Sequence, residues 1–171
     1  MGAHRRLACL VLGTLLAAGG ASAADPTTVL IVRHAEKESS ATDPPLSAVG
    51  KARAQALAHV AGSAGVRAVF HTQYRRTLET VEPLAAQLSL SPITHAAADT
   101  PGLVSTIRTS WSGKTVLVAG HSNTVPEIVK ALTGVAMENI PDAQFDNLYV
   151  VVLPTGGPAS LTHLKYGART P

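Results

Sequence analysis

The chain has 171 residues, 46% of them hydrophobic, 15% charged and 4% aromatic, with a formal net charge of +3. This composition excludes a disordered or charge-driven tail, and the length fits one globular domain. A single cysteine, Cys9, excludes a disulfide framework and a cysteine-rich zinc site, and no uninterrupted apolar run of about twenty residues reads as a permanent membrane span.

Residues 1–23 place Arg5 and Arg6 before an apolar run that ends at Gly19-Gly20, followed by Ala21-Ser22-Ala23. This is the pattern of a cleaved secretory signal peptide; the run lacks the amphipathic spacing of a core helix. Cys9 precedes the hydrophobic region instead of following it, so a lipoprotein anchor is not expected. Residues 24–171 are then one exported domain, periplasmic or secreted, with no cysteine to oxidise. Loss of Arg5 and Arg6 brings basic and acidic residues almost into balance. The remaining basic residues are scattered, which argues against nucleic acid as a partner.

In chain order, residues 28–33 (TVLIVR) read as a buried strand ending in Arg33-His34-Ala35-Glu36. A polar loop over residues 38–45 leads to Ser47, which can cap a helix running to about residue 60. Residues 66–71 form a second strand, and residues 74–90 a helix with Leu78, Val81, Leu84, Ala85 and Leu88 on one stripe; Pro83 predicts a kink or a break in it. Residues 92–95 suggest a short strand and residues 102–111 a helix, with Asp99-Thr100-Pro101 capping its start. Residues 115–119 (TVLVA) are a third clear strand, ending in Gly120-His121-Ser122-Asn123 before a helix over about 125–132. Residues 148–153 and 161–166 flank a Pro-Thr-Gly-Gly turn and predict a terminal hairpin. The sum is a three-layer α/β/α sandwich with a mostly parallel central sheet.

Arg33-His34 and Gly120-His121 each follow an apolar strand, and adjacent parallel strands would bring their C-terminal ends into one crevice. The helix that begins near Tyr74-Arg75-Arg76 can add an arginine. Unpaired buried cations are costly, so such a crevice calls for a dianion such as phosphate or sulfate.

Arg33-His34-Ala35-Glu36, Pro45-Leu46-Ser47-x-x-Gly50, Arg76-Thr77-x-Glu79-Thr80 and Gly120-His121-Ser122-Asn123 together resemble the histidine phosphatase (phosphoglycerate mutase-like) superfamily. The resemblance covers nearly all of residues 24–171, at a length similar to the small bacterial phosphatases of that family. It implies that His34 is the nucleophile that becomes a phosphohistidine, while Arg33, Arg76 and His121 bind the phosphoryl oxygens, with no cofactor. The chemistry is consistent: imidazole attacks only through an unprotonated nitrogen, and neighbouring guanidinium groups disfavour imidazolium while neutralising the substrate. The insertion that presents a proton-donating carboxylate in larger members is missing, leaving Asp99 and Glu36 as candidate acids. Asp99 is preferred, with helix capping its alternative; a salt bridge to Arg33 or Lys37 is the alternative for Glu36.

A metal held by His34, Glu36 and His121 is conceivable, but two flanking arginines would repel it and no HExxH motif supports it. His71 either lines the pocket or is structural, and His59, His95 and His163 are solvent-facing or packed. Arg75 is expected on the surface or rim. Asn123 hydrogen-bonds substrate or, by preference, caps a helix; Asp146-Asn147 makes a turn or pins a strand; Trp111 packs in the core. These readings converge on an exported, metal-independent phosphomonoesterase with a small phosphorylated substrate chosen by loops 37–45 and 95–102. Its alternatives are a non-catalytic phosphate- or phosphosugar-binding protein, or a narrow-specificity phosphatase of phosphohistidine or envelope glycans. The short chain lacks material for the lid a mutase needs to shield its phosphohistidine.

Overall fold

The computed structural model describes residues 24–171; the expected leader over residues 1–23, Cys9 included, lies outside them. The elements are β1 (Thr27–Arg33), α1 (Ala48–Ala61), β2 (Val66–Thr72), α2 (Arg75–Gln87), β3 (Ile93–His95), α3 (Thr100–Ser110), β4 (Thr115–Gly120), α4 (Thr124–Thr133), β5 (Asn147–Leu153) and β6 (Ser160–Lys165). They build one six-stranded sheet in the order β3-β2-β4-β1-β5-β6. The β3-β2-β4-β1 part is parallel, and the terminal hairpin adds β5 and β6 antiparallel, so the sheet is mixed.

Both sheet faces are covered, which is why the central strands read as unbroken apolar runs. Successive side chains of a strand point to opposite faces. Accordingly Val29 and Ile31 pack with Ile107 of α3 and Ile128 of α4, while Leu30 and Val32 pack with Leu57 of α1 and Leu84 of α2. Among the described residues no helix is long and apolar enough to cross a membrane.

Ser47 caps α1 by accepting from the Gly50 amide at 3.1 Å, as its sequence position predicts. Two helices depart from expectation. Helix α2 continues through Pro83, which excludes the break of the two outcomes expected there; the missing amide leaves the Glu79 carbonyl without its helical donor. Helix α3 starts at Thr100 with Pro101 in its first turn, where the absent N–H costs nothing. The register pairs Arg33 with Gly120, so the two polar motifs leave neighbouring strands at the same level.

Candidate active site

The segment after β1 is pinned at every peptide. The His34 amide donates to the Gly120 carbonyl (2.9 Å), the Ala35 amide to Thr80 Oγ1 (2.9 Å), and the Glu36 carbonyl accepts from the Ser47 amide (2.9 Å). Helix α1 approaches so closely that a Cβ on Gly50 would collide with the Glu36 carbonyl oxygen. Glu79 accepts from the Leu46 amide at 2.7 Å, so in the Arg76-Thr77-x-Glu79-Thr80 motif Thr80 props the segment at Ala35 and Glu79 the start of the α1 approach at Leu46.

His34 is buried, with Nδ1 2.8 Å from the Ala35 carbonyl oxygen. A carbonyl only accepts, so Nδ1 carries the proton and Nε2 keeps its lone pair. Burial pushes the imidazole down to about 3, helped by the charges of Arg33, His121 and Arg76 and opposed by the Ala35 bond. His121, whose ring centre lies 5.4 Å from that of His34, is pushed down to about 4 by burial and then by Arg76, His95 and Arg33. Its Nε2 lies 3.0 Å from Thr72 Oγ1, and its Nδ1 faces Arg76 Nη2 at 3.5 Å. Both rings are therefore neutral at pH 7.

Arg33 Nη1 donates to the carbonyls of Pro141 (2.8 Å), Asp142 (3.1 Å) and Gln144 (3.1 Å), and the Phe145 ring stacks at 4.3 Å from its guanidinium carbon. Its Nη2 lies 3.5 Å from the carboxylate of Asp142, and burial lowers it from the usual arginine value. Arg76 lies over the Tyr74 ring at 4.3 Å, with Nη1 3.7 Å from Asp43. The Nε donors of both arginines are buried without a partner. Arg33, His34, Arg76 and His121 line one open cleft of about 440 Å³, together with Lys37, Tyr74, Asp142 and the start of α4 at Ser122, Asn123 and Thr124. Three cationic side chains, a helix N-terminus and one carboxylate make it a receptor for an anion. The Nε2 lone pair of His34 gives it a nucleophile.

Four expected site residues are thus brought together, and Asn123 joins them on the wall with no side-chain capping bond, contrary to the capping expected of it. Glu36 is not in the cleft lining. Its carboxylate is gripped by Arg53 through Nε (2.9 and 3.0 Å) and Nη2 (2.7 Å), so its ion pair is with neither Arg33 nor Lys37. The strand ends at Arg33, and the extended-chain alternation that aligned Glu36 with His34 ends with it. Asp99 caps α3, accepting from the Gly102 amide at 2.9 Å, and lines a separate depression with His95 and Thr106; Ala97 and Ala98 reach the cleft instead. His71 is buried between the Thr72 carbonyl (2.7 Å) and Thr94 Oγ1 (3.1 Å) and does not line the cleft. Of the three residues in the disfavoured metal alternative, His34 and His121 share the cleft while Glu36 is taken by Arg53; among the described residues no group of three or more His, Cys, Asp or Glu is placed to hold a metal ion.

Outside the cleft, Asp146 pins the hairpin to the C-terminal segment by accepting from Lys165 (2.9 Å) and Thr170 (2.7 Å), bonds that hold its carboxyl well below the usual range despite burial. Trp111 packs edge-on against Phe70, and Arg75 pairs with Glu79 at the surface. Lys37, Ala97 and Ala98 come from the two loops expected to choose the substrate, whereas sequence reading missed Tyr74 and Asp142 at the cleft and Arg53 behind it. Placing β5 beside β1 was the only signal that could have found Asp142, since that pairing carries the loop before β5 to the end of β1.

Residues 29–99 match the profile of the histidine phosphatase superfamily (branch 1). A structure of the protein histidine phosphatase SixA complexed with tungstate superposes with a TM-score of 0.63 at 18% identity, covering 81% of this chain and 96% of that one. YhfR of Bacillus stearothermophilus gives 0.62 at 15%, covering 84% and 96%. A mycobacterial glucosyl-3-phosphoglycerate phosphatase gives 0.60 at 13%, covering 74% and 90%. A comparison with curated protein sequences returned no match.

Proposed function

We propose that this chain is a histidine phosphatase, an exported, metal-independent phosphomonoesterase that works through a phosphohistidine on His34; the family match over residues 29–99 and the shared fold support the reading. The phosphatase class comes with the family. The residue roles rest on one observation: a buried imidazole with a free Nε2 shares a cleft with two guanidinium groups whose buried Nε donors have no partner. A phosphoryl group bound there is neutralised by the two guanidinium groups and presents phosphorus to Nε2. Arg33, Arg76 and His121 then hold the equatorial oxygens, where charge is spread in the transition state, and water hydrolyses the phosphohistidine. The substrate is a small phosphate ester, a reading supported by the mainly cationic lining of the cleft, whose only carboxylate among the described residues is Asp142. The leader over residues 1–23 directs the protein out of the cytoplasm.

The test is hydrolysis of p-nitrophenyl phosphate by residues 24–171 in excess EDTA, with His34→Ala as control. Chelator-resistant turnover that His34→Ala abolishes supports the proposal, and acid-quenched protein should carry the phosphoryl label on His34. Loss of activity with EDTA would overturn metal independence, and tungstate binding without turnover would favour a phosphate-binding protein. Fractionation of cells expressing the full chain tests export, with deletion of residues 1–23 expected to retain the protein inside.

A further inference from the structure

The two carboxylates suggested by the sequence as proton donors stand elsewhere: Glu36 is in the grip of Arg53 and Asp99 is engaged with the start of α3. Breaking a phosphate ester with a poor leaving group still requires a proton on the departing oxygen. Resting on the phosphatase reading above, we infer that Asp142 is the acid that delivers it.

Position carries the inference. The main chain of residues 141–144 is fastened to Arg33 by three hydrogen bonds, which fixes the root of the Asp142 side chain beside a phosphate-binding guanidinium. The side chain itself is fully exposed, at the mouth of the cleft, with its carboxylate 3.5 Å from Arg33 Nη2. In-line attack from the buried His34 sends the leaving group the other way, outward to that mouth. A phosphate dianion that takes over Arg33 releases the Asp142 carboxyl group from its cationic partner and leaves it free to turn toward the departing oxygen. Besides Arg33 and His34, the other titratable groups lining this cleft are Lys37, Tyr74, Arg76 and His121. As the His34 nitrogen–phosphorus bond forms, the ester phosphorus–oxygen bond breaks, its electron pair goes to the leaving oxygen, and the carboxyl proton completes the alcohol. Asp142 is left as the carboxylate and the phosphoryl group on His34.

The experiment compares wild type with Asp142→Asn on aryl phosphates of graded leaving-group acidity, reading kcat/KM, which reports the steps up to alcohol release. A fully exposed side chain on an anchored loop makes this substitution safe for folding. For phenyl phosphate the loss should be about 100-fold or more, the ordinary worth of a general acid. For 2,4-dinitrophenyl phosphate, whose anion departs without a proton, it should be under about tenfold, so the leaving-group dependence steepens. Asp142→Glu should recover part of the phenyl phosphate rate. Equal losses on both esters would overturn the assignment and leave Asp142 a mere neighbour of Arg33. Absence of wild-type turnover on every ester would overturn the phosphatase reading along with it.

Discussion

Removal of Arg53 should cost the fold several kcal/mol, although the residue lies outside the cleft. Its side chain is 2% exposed and that of Glu36 17%, and the pair is joined by three short hydrogen bonds, while Arg53 Nη1 also donates to the Tyr166 carbonyl at 3.1 Å. Arg53→Met keeps most of the stem but strands the Glu36 carboxylate and that carbonyl. Breaking a buried ion pair from one side costs about 3–5 kcal/mol, and the partial solvent access of Glu36 puts this case near the lower end. At about 2–4 °C per kcal/mol for a domain of this size, Tm should fall by about 6–12 °C. Urea unfolding at pH 7 gives the free energy directly. The double variant Arg53→Met/Glu36→Gln no longer strands a charge and should recover about 1–2 kcal/mol of the loss. A single-variant loss under about 1 kcal/mol, or a double variant no better than the single, would refute the claim that this pair clamps the segment behind His34.

Three further outcomes follow from the same geometry. His34 binds its proton at about 3 in the fold against an ordinary 6.5, so the unfolded chain holds more protons between those values. Its stabilising contribution is complete above the unfolded value and is lost as pH falls toward the folded one. Between pH 6 and pH 4.5 wild type should lose about 2 kcal/mol more than His34→Gln in urea titrations; parallel curves would contradict the buried neutral imidazole. Gly50→Ala pushes a methyl into the Glu36 carbonyl and should cost about 1–3 kcal/mol, measured by thermal unfolding, with a lower kcat as the His34 segment shifts. Tungstate at about a hundred times its Kd should stabilise wild type by about 2.7 kcal/mol, and Arg76→Ala should abolish that gain and lower kcat/KM by about 100-fold or more.

The parallel half of the sheet was legible because β1, β2 and β4 are apolar on both faces and stop at polar motifs. From this the meeting of Arg33-His34 with Gly120-His121 followed before any coordinates. The hairpin was legible as a hairpin but its place was not, since no local pattern says that β5 lies antiparallel beside β1. That placement brings residues 141–145 onto Arg33 across more than a hundred positions of sequence. The same kind of distance hid Arg53, whose neighbours in α1 are alanines and whose partners Glu36 and Tyr166 come from other elements. Asp99 and Glu36 misled for related reasons: a carboxylate near a motif can be consumed by a helix cap, which the Asp99-Thr100-Pro101 pattern did signal, or by a buried cation distant in sequence, which leaves no local signature.

Arg33 and Arg53 also show how one side chain serves two ends. Both are almost wholly buried, so each guanidinium must find acceptors. Arg53 finds the carboxylate of Glu36, which neutralises it. Arg33 is instead held by three carbonyl dipoles, which fix its orientation and leave its positive charge in place. Its one carboxylate neighbour, Asp142, is fully exposed, where solvent screens the pair and an arriving phosphate can displace it. Orientation by neutral dipoles, with the charge left for a ligand, separates an arginine that binds an anion from one that holds a loop. The sequence contains both residues but cannot distinguish them, because the difference lies in what the chain folds against each.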